Sequence, residues 1–426
     1  MRQNSSPDII GAGGSFAAAL LKTLLNDYPE RTGHLCVHKK EYCSEGIQDD
    51  TTSVFNVAAL FPKQIEDNTK KFTEANCDLP PNLTCSTLDD FRFEPKKQTG
   101  FMRKKESGLL ILAYPVQKTR PAFKDLLIAQ PQILENRDIL LVSKGIEKET
   151  LRTPCQIAEE VITELGLMTE KIRKRIAYLI GPNLAWELML LQLMIANIGG
   201  EKAAVKRISR YFRDTNLTIR QTRARLGLEI SGALKNSLAI SLGLAKGLEL
   251  AGYNIGNSSQ ASFSSICLAE EERFVYAADK KAKKEQALLY GPRGDSLLAY
   301  DYRITRNYRA GVELVKHYNE YYNGKTLSEL MDDQVIEGEH SARPLLQIAE
   351  QMKVKMPILS LIADVLERKL TPEGALDKIS ELSRRWADAQ EQGFWARRSQ
   401  KFKKYFRAAG FSFSLPISPS PPYSIS

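Results

Sequence analysis

The stretch LEISGALKNSLAISLGLAKG, residues 228–247, is an almost unbroken apolar helix signal with Lys235 and Asn236 in its middle. Ile230, Leu234, Leu238 and Leu242 share one face at helical spacing. An ammonium buried there is costly unless something pairs with it. Lys235 therefore either snorkels its head to water or is held in place as an acid–base group. Three other segments carry residues suited to work with it. In LLVSKGIEKETL, Lys144 and Gly145 directly follow a strand signal, at the sheet edge where ligands of open α/β folds bind. In LIGPNLAWE, the turn Gly181-Pro182 opens a helix, a natural anion site. In YGPRGDSLLAYDYRITRNYRAG, Asp295 is followed 11 positions later by Arg306 and Asn307. Arginine suits a phosphate, and an acid nearby is the partner that a buried lysine needs. Each also has an ordinary reading: Lys144 as a solvated residue, Asp295 as a helix cap, Arg306 in a surface ion pair.

A second constellation lies at the amino end. DIIGAGGSFAAALL places Gly11 and Gly13 between a short strand and a helix, where glycines let the backbone approach a dinucleotide pyrophosphate. The third glycine of GxGxxG is missing: position 16 is Phe, and Ala17 supplies a small residue only with one residue inserted. After the next strand signal, HLCV, come His38, Lys39 and Lys40, where an acid would hydrogen-bond the ribose of NAD. Cations there admit the 2′-phosphate of NADPH, or else form a solvated basic turn.

These residues need elements to position them. The first half alternates short β-like runs with amphipathic stretches: PDIIG, FAAALLKTLLNDY, HLCVHKK, LLILAYP, DILLVSKG and TPCQIAEEVITELG. That alternation predicts a parallel sheet covered by helices. From about Gly227 the periodicity is helical, as in RAGVELVKHYNEYY and ARPLLQIAEQMKV. The expected organisation is a Rossmann-like α/β domain over 1–222, an all-α substrate domain over 223–395 and a basic, then Ser/Pro-rich, disordered tail over 396–426. Residues 45–107 break the alternation with polar, Lys-rich sequence and read as a surface insertion.

Composition narrows the classes. Of 426 residues, 43% are hydrophobic and 26% charged, as in a soluble globular protein. The longest apolar run, LMLLQLMIANI at 188–198, is shorter than the roughly 20 residues that cross a bilayer and reads as buried core. The amino terminus has no apolar h-region, which gives a cytoplasmic expectation. Six cysteines without a CxxC pair and four scattered histidines give no metal or disulfide scaffold. Net charge is +9, but residues 397–426 carry six cations and no acid, leaving +3 for the body, so nucleic acid is not an expected partner. In that tail the cations interleave with Phe402, Tyr405 and Phe406, which would suit an anionic membrane surface or simply a solvated tail.

Taken together, LPPNLTCSTLDDF, LAYPVQ, SKGIE, GPNLAWE, LEISGALKN, GDSLL, TRNYRAG and VIEGEHSARPLLQIAEQMKVKMPI are collinear from about residue 9 to 380. In that order and spacing the chain resembles the NAD(P)-dependent glycerol-3-phosphate dehydrogenases, particularly the bacterial form. The resemblance implies that Lys235 is the proton carrier at the substrate carbinol and that Asp295 is its catalytic partner. It implies substrate contacts from Lys144, Gly181, Asn183, Asn236, Thr305, Arg306 and Asn307, the last two holding a phosphate. It implies cofactor contacts, to NAD or NADP, from Gly11, Gly13, Gly14, Ser15, Phe16, Lys39, Pro115, Lys144, Ala185, Arg306 and Glu337. The implied substrates are dihydroxyacetone phosphate and sn-glycerol 3-phosphate, for glycerophospholipid synthesis, and the implied assembly is a homodimer.

The chain also departs from the pattern. Asn183 stands where the family has Ser or Thr after GP, GDLxxT becomes Asp295 followed by Ala299, and the serine of SRN is Thr305. Two rivals follow: a dehydrogenase of another hydroxy acid, or a homologue that binds nucleotide or a partner without turnover.

Overall fold

A computed structural model describes residues 9–13, 15–37, 80, 83–87, 107–301, 305–378 and 381. The chain forms two compact units, Met1–Pro372 and Glu373–Ser426, and every element named below belongs to the first. Lys39, Gly14 and the basic tail lie outside the described residues.

Eight strands form one sheet: β1 Ile9–Gly13, β2 Gly33–Val37, β3 Leu83–Thr87, β4 Gly108–Ala113, β5 Arg137–Leu141, β6 Ile176–Ile180, β7 Met194–Gly200 and β8 Leu217–Thr222. Their spatial order is β3-β2-β1-β4-β5-β6-β7-β8. The pairs from β3 through β6 are parallel. β7 runs antiparallel to β6 and parallel to β8. The first six strands have the dinucleotide-binding order, and the chain reverses direction across the sheet between β1 and β4. Every residue of β5 and β6 is buried, as expected for strands covered on both faces.

Before β7 the described helices include α1 Ser15–Leu25, α2 Val116–Ala129, α3 Pro154–Glu164 and α4 Ala185–Met189. Those after β7 include α5 Lys202–Tyr211, α6 Arg225–Leu250, α7 Asn257–Ala278, α8 Gly291–Ala299, α9 Arg306–Lys316, α10 Glu337–Gln351 and α11 Pro357–Leu366. α6 is buried almost all round, including Glu229, Ser231, Lys235, Asn236, Ser237 and Ser241. A helix apolar on every side belongs at the centre of a bundle, and α7 to α11 pack around it.

Two findings differ from the sequence reading. Residues 83–87, inside the stretch expected to be an insertion, form the edge strand β3 beside β2. The run 188–198 is not one core segment: it ends α4, turns at Leu191 with φ +54 and begins β7. Leu193 is 89% exposed and Ile195 43% exposed, while Leu188, Met189 and Ile198 are fully buried. Apolar composition marks both halves alike but cannot say where the backbone turns.

The closest helix contact is between α6 and α9, and small residues permit it. A methyl at Gly243 would strike the Tyr308 carbonyl, and one at Gly311 would strike the Ile240 carbonyl. The two backbones therefore touch directly, which sets how far Arg306 and Asn307 stand from Lys235. Gly311→Ala is expected to destabilise the protein by about 1–3 kcal/mol through overpacking, read as a lower urea midpoint at unchanged m-value; an unaltered midpoint would contradict this packing.

Candidate active site

Lys235 lies on the sixth helix and is 6% exposed. Its Nζ donates to Asp295 Oδ1 at 2.6 Å, and the Asp295 backbone carbonyl is 3.4 Å away. Asp295, in the second turn of α8, is 1% exposed. The same carboxylate takes a second cation: Lys144 Nζ donates to Oδ1 at 3.0 Å and lies 2.9 Å from Oδ2. Two ammonium groups thus share one carboxylate. Burial is the largest influence on Lys235 and lowers its pKa; Asp295 pulls it up and Lys144 pushes it down again, so that it falls from 10.5 to about 8. A pKa near neutrality suits a group that must both give and take a proton.

The loop after β5 presents Lys144. Gly145 has φ +119, a conformation open to glycine, and a side chain there would press on Val116 and Ser341. Ser143 Oγ donates to the Tyr114 carbonyl, tying the ends of β4 and β5. Tyr178, fully buried in β6, donates from its hydroxyl to the Ser143 carbonyl at 2.9 Å. That hydroxyl lies against Gly232 of α6, so any side chain at 232 would displace it.

Beyond Lys235, α6 is locked to the starts of two other helices. Asn236 Nδ2 donates to Glu337 Oε2 at 3.0 Å, and Ser237 Oγ donates to the Gly338 carbonyl at 2.8 Å. The Gly338 N–H in turn donates to Asn307 Oδ1 at 2.9 Å. A methyl at Gly338 would collide with the Asn236 carbonyl. Arg306, the first residue of α9, is exposed and unpaired among the described residues. It stands at a helix N-terminus, where an anion is favoured.

The remaining expected residues divide. The Thr305 hydroxyl donates to the Ala299 carbonyl at 2.7 Å, so it joins the end of α8 to the start of α9. Gly181 directly follows β6, against the backbone of Ile195 and Ala196. Asn183 is 8% exposed, and neither its amide oxygen nor its amide nitrogen has a hydrogen-bond partner. Leaving such groups unmade costs about 1–3 kcal/mol, which a bound polar ligand would offset. Gly11 and Gly13 lie within β1 rather than after it, and a methyl at Gly11 would strike Leu21 of α1. Ser15 opens α1, Phe16 and Ala185 pack partly buried against the sheet core, and Pro115 is the N-cap of α2. The N-termini of α1 and α2 therefore follow β1 and β4, on either side of the point where the strand order reverses, and fit a dinucleotide phosphate.

Sequence reasoning missed Tyr178 and Ser237. Nothing in IAYLI or ALKNS marks them, since their roles arise from contacts between distant segments. A groove of about 590 Å³ lined by Gln132, Asn136, Thr169, Lys171 and Arg175 lies at the opposite, amino end of β5 and β6. It is on the wrong edge of the sheet for the ligand of an open α/β fold.

The sequence and the fold of the chain match known proteins. Residues 102–204 match the family model described as NAD-dependent glycerol-3-phosphate dehydrogenase N-terminus, and residues 225–377 match its C-terminus counterpart. The NAD(P)+ glycerol-3-phosphate dehydrogenase of Polynucleobacter asymbioticus is 29% identical over 293 residues, covering 68% of this chain and 80% of that protein. The one from Teredinibacter turnerae is 30% identical over 264 residues, covering 61% and 70%. The crystal structure of a glycerol-3-phosphate dehydrogenase from Coxiella burnetii has the same fold, with TM-score 0.63 at 19% identity, over 88% of this chain and 98% of that one.

The shared carboxylate makes a direct prediction. Asp295→Ala leaves two ammonium groups facing each other in a buried space, and removing one partner of a buried pair costs about 3–5 kcal/mol. Urea unfolding at pH 7 should show a loss of that size, and a loss below about 1 kcal/mol, the range of exposed pairs, would mean that the lysines are solvated.

Proposed function

The chain belongs to the NAD-dependent glycerol-3-phosphate dehydrogenase family, and from that premise we propose that it transfers a hydride between NAD or NADP and dihydroxyacetone phosphate, giving sn-glycerol 3-phosphate. The observation that carries the reading is the buried Lys235–Asp295 pair, with Lys144 on the same carboxylate. It lies in a framework shared with Asn236, Glu337 and Asn307.

A bound nicotinamide supplies the hydride, and the chain supplies position and a proton. The backbone around Gly13 and Ser15 and the α2 N-terminus at Pro115 would hold the cofactor phosphates. Arg306, with the free N–H groups of the first turn of α9, would grip the substrate phosphate. That grip sets the C2 carbonyl of the substrate toward Lys235. As the C2 carbon is reduced, its oxygen gains negative charge, and Lys235 gives that oxygen its proton, leaving a neutral amine. In the oxidising direction the neutral amine takes the proton back. Asp295 keeps the ammonium in a desolvated space and fixes its direction. Lys144, on the other side of the carboxylate, adds positive charge near the developing alkoxide. The Asn183 carboxamide, donor and acceptor both unpartnered, would meet a substrate hydroxyl.

Retention of both members of the pair argues against a homologue without turnover. The departures at Asn183 and Ala299 leave that pair intact. The reading extends to a homodimer acting in the cytoplasm, and to weak contact of the basic tail with anionic lipid. Among the described residues no helix is long and apolar enough to cross a membrane.

The test is oxidation of NADH and of NADPH by the purified protein with dihydroxyacetone phosphate, followed by two variants. Lys235→Ala should lower kcat by about 10²- to 10⁴-fold, the usual contribution of general acid catalysis, with NAD(P)H affinity nearly intact. Arg306→Ala should chiefly raise KM, because it grips a group present in ground and transition states alike. Turnover by Lys235→Ala within about threefold of wild type, far below that range, would make the lysine a structural residue.

A further inference from the structure

Glu271 is a carboxylate that the reaction scheme above does not use. It lies on α7, is 1% exposed and reaches both helices that carry the catalytic pair. Ser231 Oγ donates to one carboxylate oxygen at 2.5 Å, and Ser296 Oγ donates to the other at 2.8 Å. Both hydroxyls are fully buried. Ser231 stands one helical turn before Lys235 on α6, and Ser296 directly follows Asp295 on α8. One side chain thus spans the two helices across which Lys235 and Asp295 meet at 2.6 Å.

Physical chemistry makes this more than packing. A buried carboxylate is costly, and burial raises the Glu271 pKa while the two serine hydroxyls draw it down. Hydroxyl-to-carboxylate bonds are among the stronger and more directional ones available. Each carboxylate oxygen takes one hydroxyl, so neither helix can slide along α7 without breaking a bond. Arg293, also on α8, adds a second tie to α7 through the Leu268 carbonyl at 3.5 Å and Glu272 at 3.4 Å.

We propose that Glu271 is a positioning residue for the reaction: by accepting hydrogen bonds from Ser231 and Ser296 it holds α6 and α8 in the register that brings the Lys235 ammonium onto Asp295 and toward the substrate oxygen. The inference rests on the dehydrogenase reading, because that reading makes the direction of the Lys235 proton matter. Displacements of about 1 Å in a reacting group can lower rates about 10²-fold, so the register of two helices is within the range that controls turnover.

The test uses the full-length protein and two variants. Glu271→Met keeps a similar volume and removes both acceptors; Glu271→Gln keeps one acceptor and offers a donor to the other serine. Glu271→Met should lower kcat about 10- to 100-fold while KM for dihydroxyacetone phosphate stays within about threefold, and Glu271→Gln should recover most of that loss. In a crystal structure of Glu271→Met, Lys235 Nζ should move beyond hydrogen-bonding distance of Asp295 Oδ1. Should that variant fail to fold, Ser296→Ala removes one arm alone and is read the same way, with a loss in kcat of about three- to tenfold. A Glu271→Met kcat within about twofold of wild type, or a Lys235–Asp295 contact unchanged in its crystal structure, overturns the proposal. Wild-type protein inert toward dihydroxyacetone phosphate with either cofactor overturns the dehydrogenase reading instead, and the crystallographic distance still decides the role of Glu271.

Discussion

One buried carboxylate, Asp295, holds two ammonium groups, and much of the architecture serves that contact. The desolvation of Lys235 would drive its proton off if nothing opposed it. Asp295 opposes it from 2.6 Å, and Lys144 restrains the effect from the other side. The balance leaves the Lys235 pKa at about 8, below the ordinary lysine value.

Holding such a triad in an apolar interior demands rigidity from three separate pieces of chain. Lys144 comes from a loop at the carboxyl edge of the sheet, Lys235 from the central helix, and Asp295 from a short helix that packs on it. Small residues allow these pieces to touch. Gly145 permits the turn beneath Lys144, Gly232 leaves room for the Tyr178 hydroxyl, and Gly243 and Gly311 bring α9 against α6. Larger residues at these points would part the elements and separate the charges.

The fold was legible where local pattern decides it. Short apolar β-like runs such as LLILAYP and DILLVSKG became β4 and β5, and the long apolar stretch around ALKN became the central helix. Lys235 stood out because a charge in an apolar helix conflicts with its surroundings, and such conflicts tend to mark function. LTCST, set among polar residues, gave too little signal for β3, and the run 188–198 hid a turn at Leu191. Glu271 was invisible for another reason: LAEEERF reads as a charged surface, and only the packing of α7 buries that side chain between two serines. Thr305 matched a family position, yet its hydroxyl closes a turn.

The central claim is that Lys235, held by Asp295, carries the proton. The measurement that tests it most directly is the pH dependence of kcat/KM for dihydroxyacetone phosphate reduction. The acid form is required in that direction, and the Lys235 pKa is about 8. The rate should therefore be level below that pH and fall tenfold per unit above it, while the reverse oxidation rises through the same point. Removing the neighbouring charge with Lys144→Met should move the break upward, since Lys144 pushes the Lys235 pKa down. A reduction profile that stays level up to the ordinary lysine range near 10.4 would contradict the account, because the proton would then come from another group.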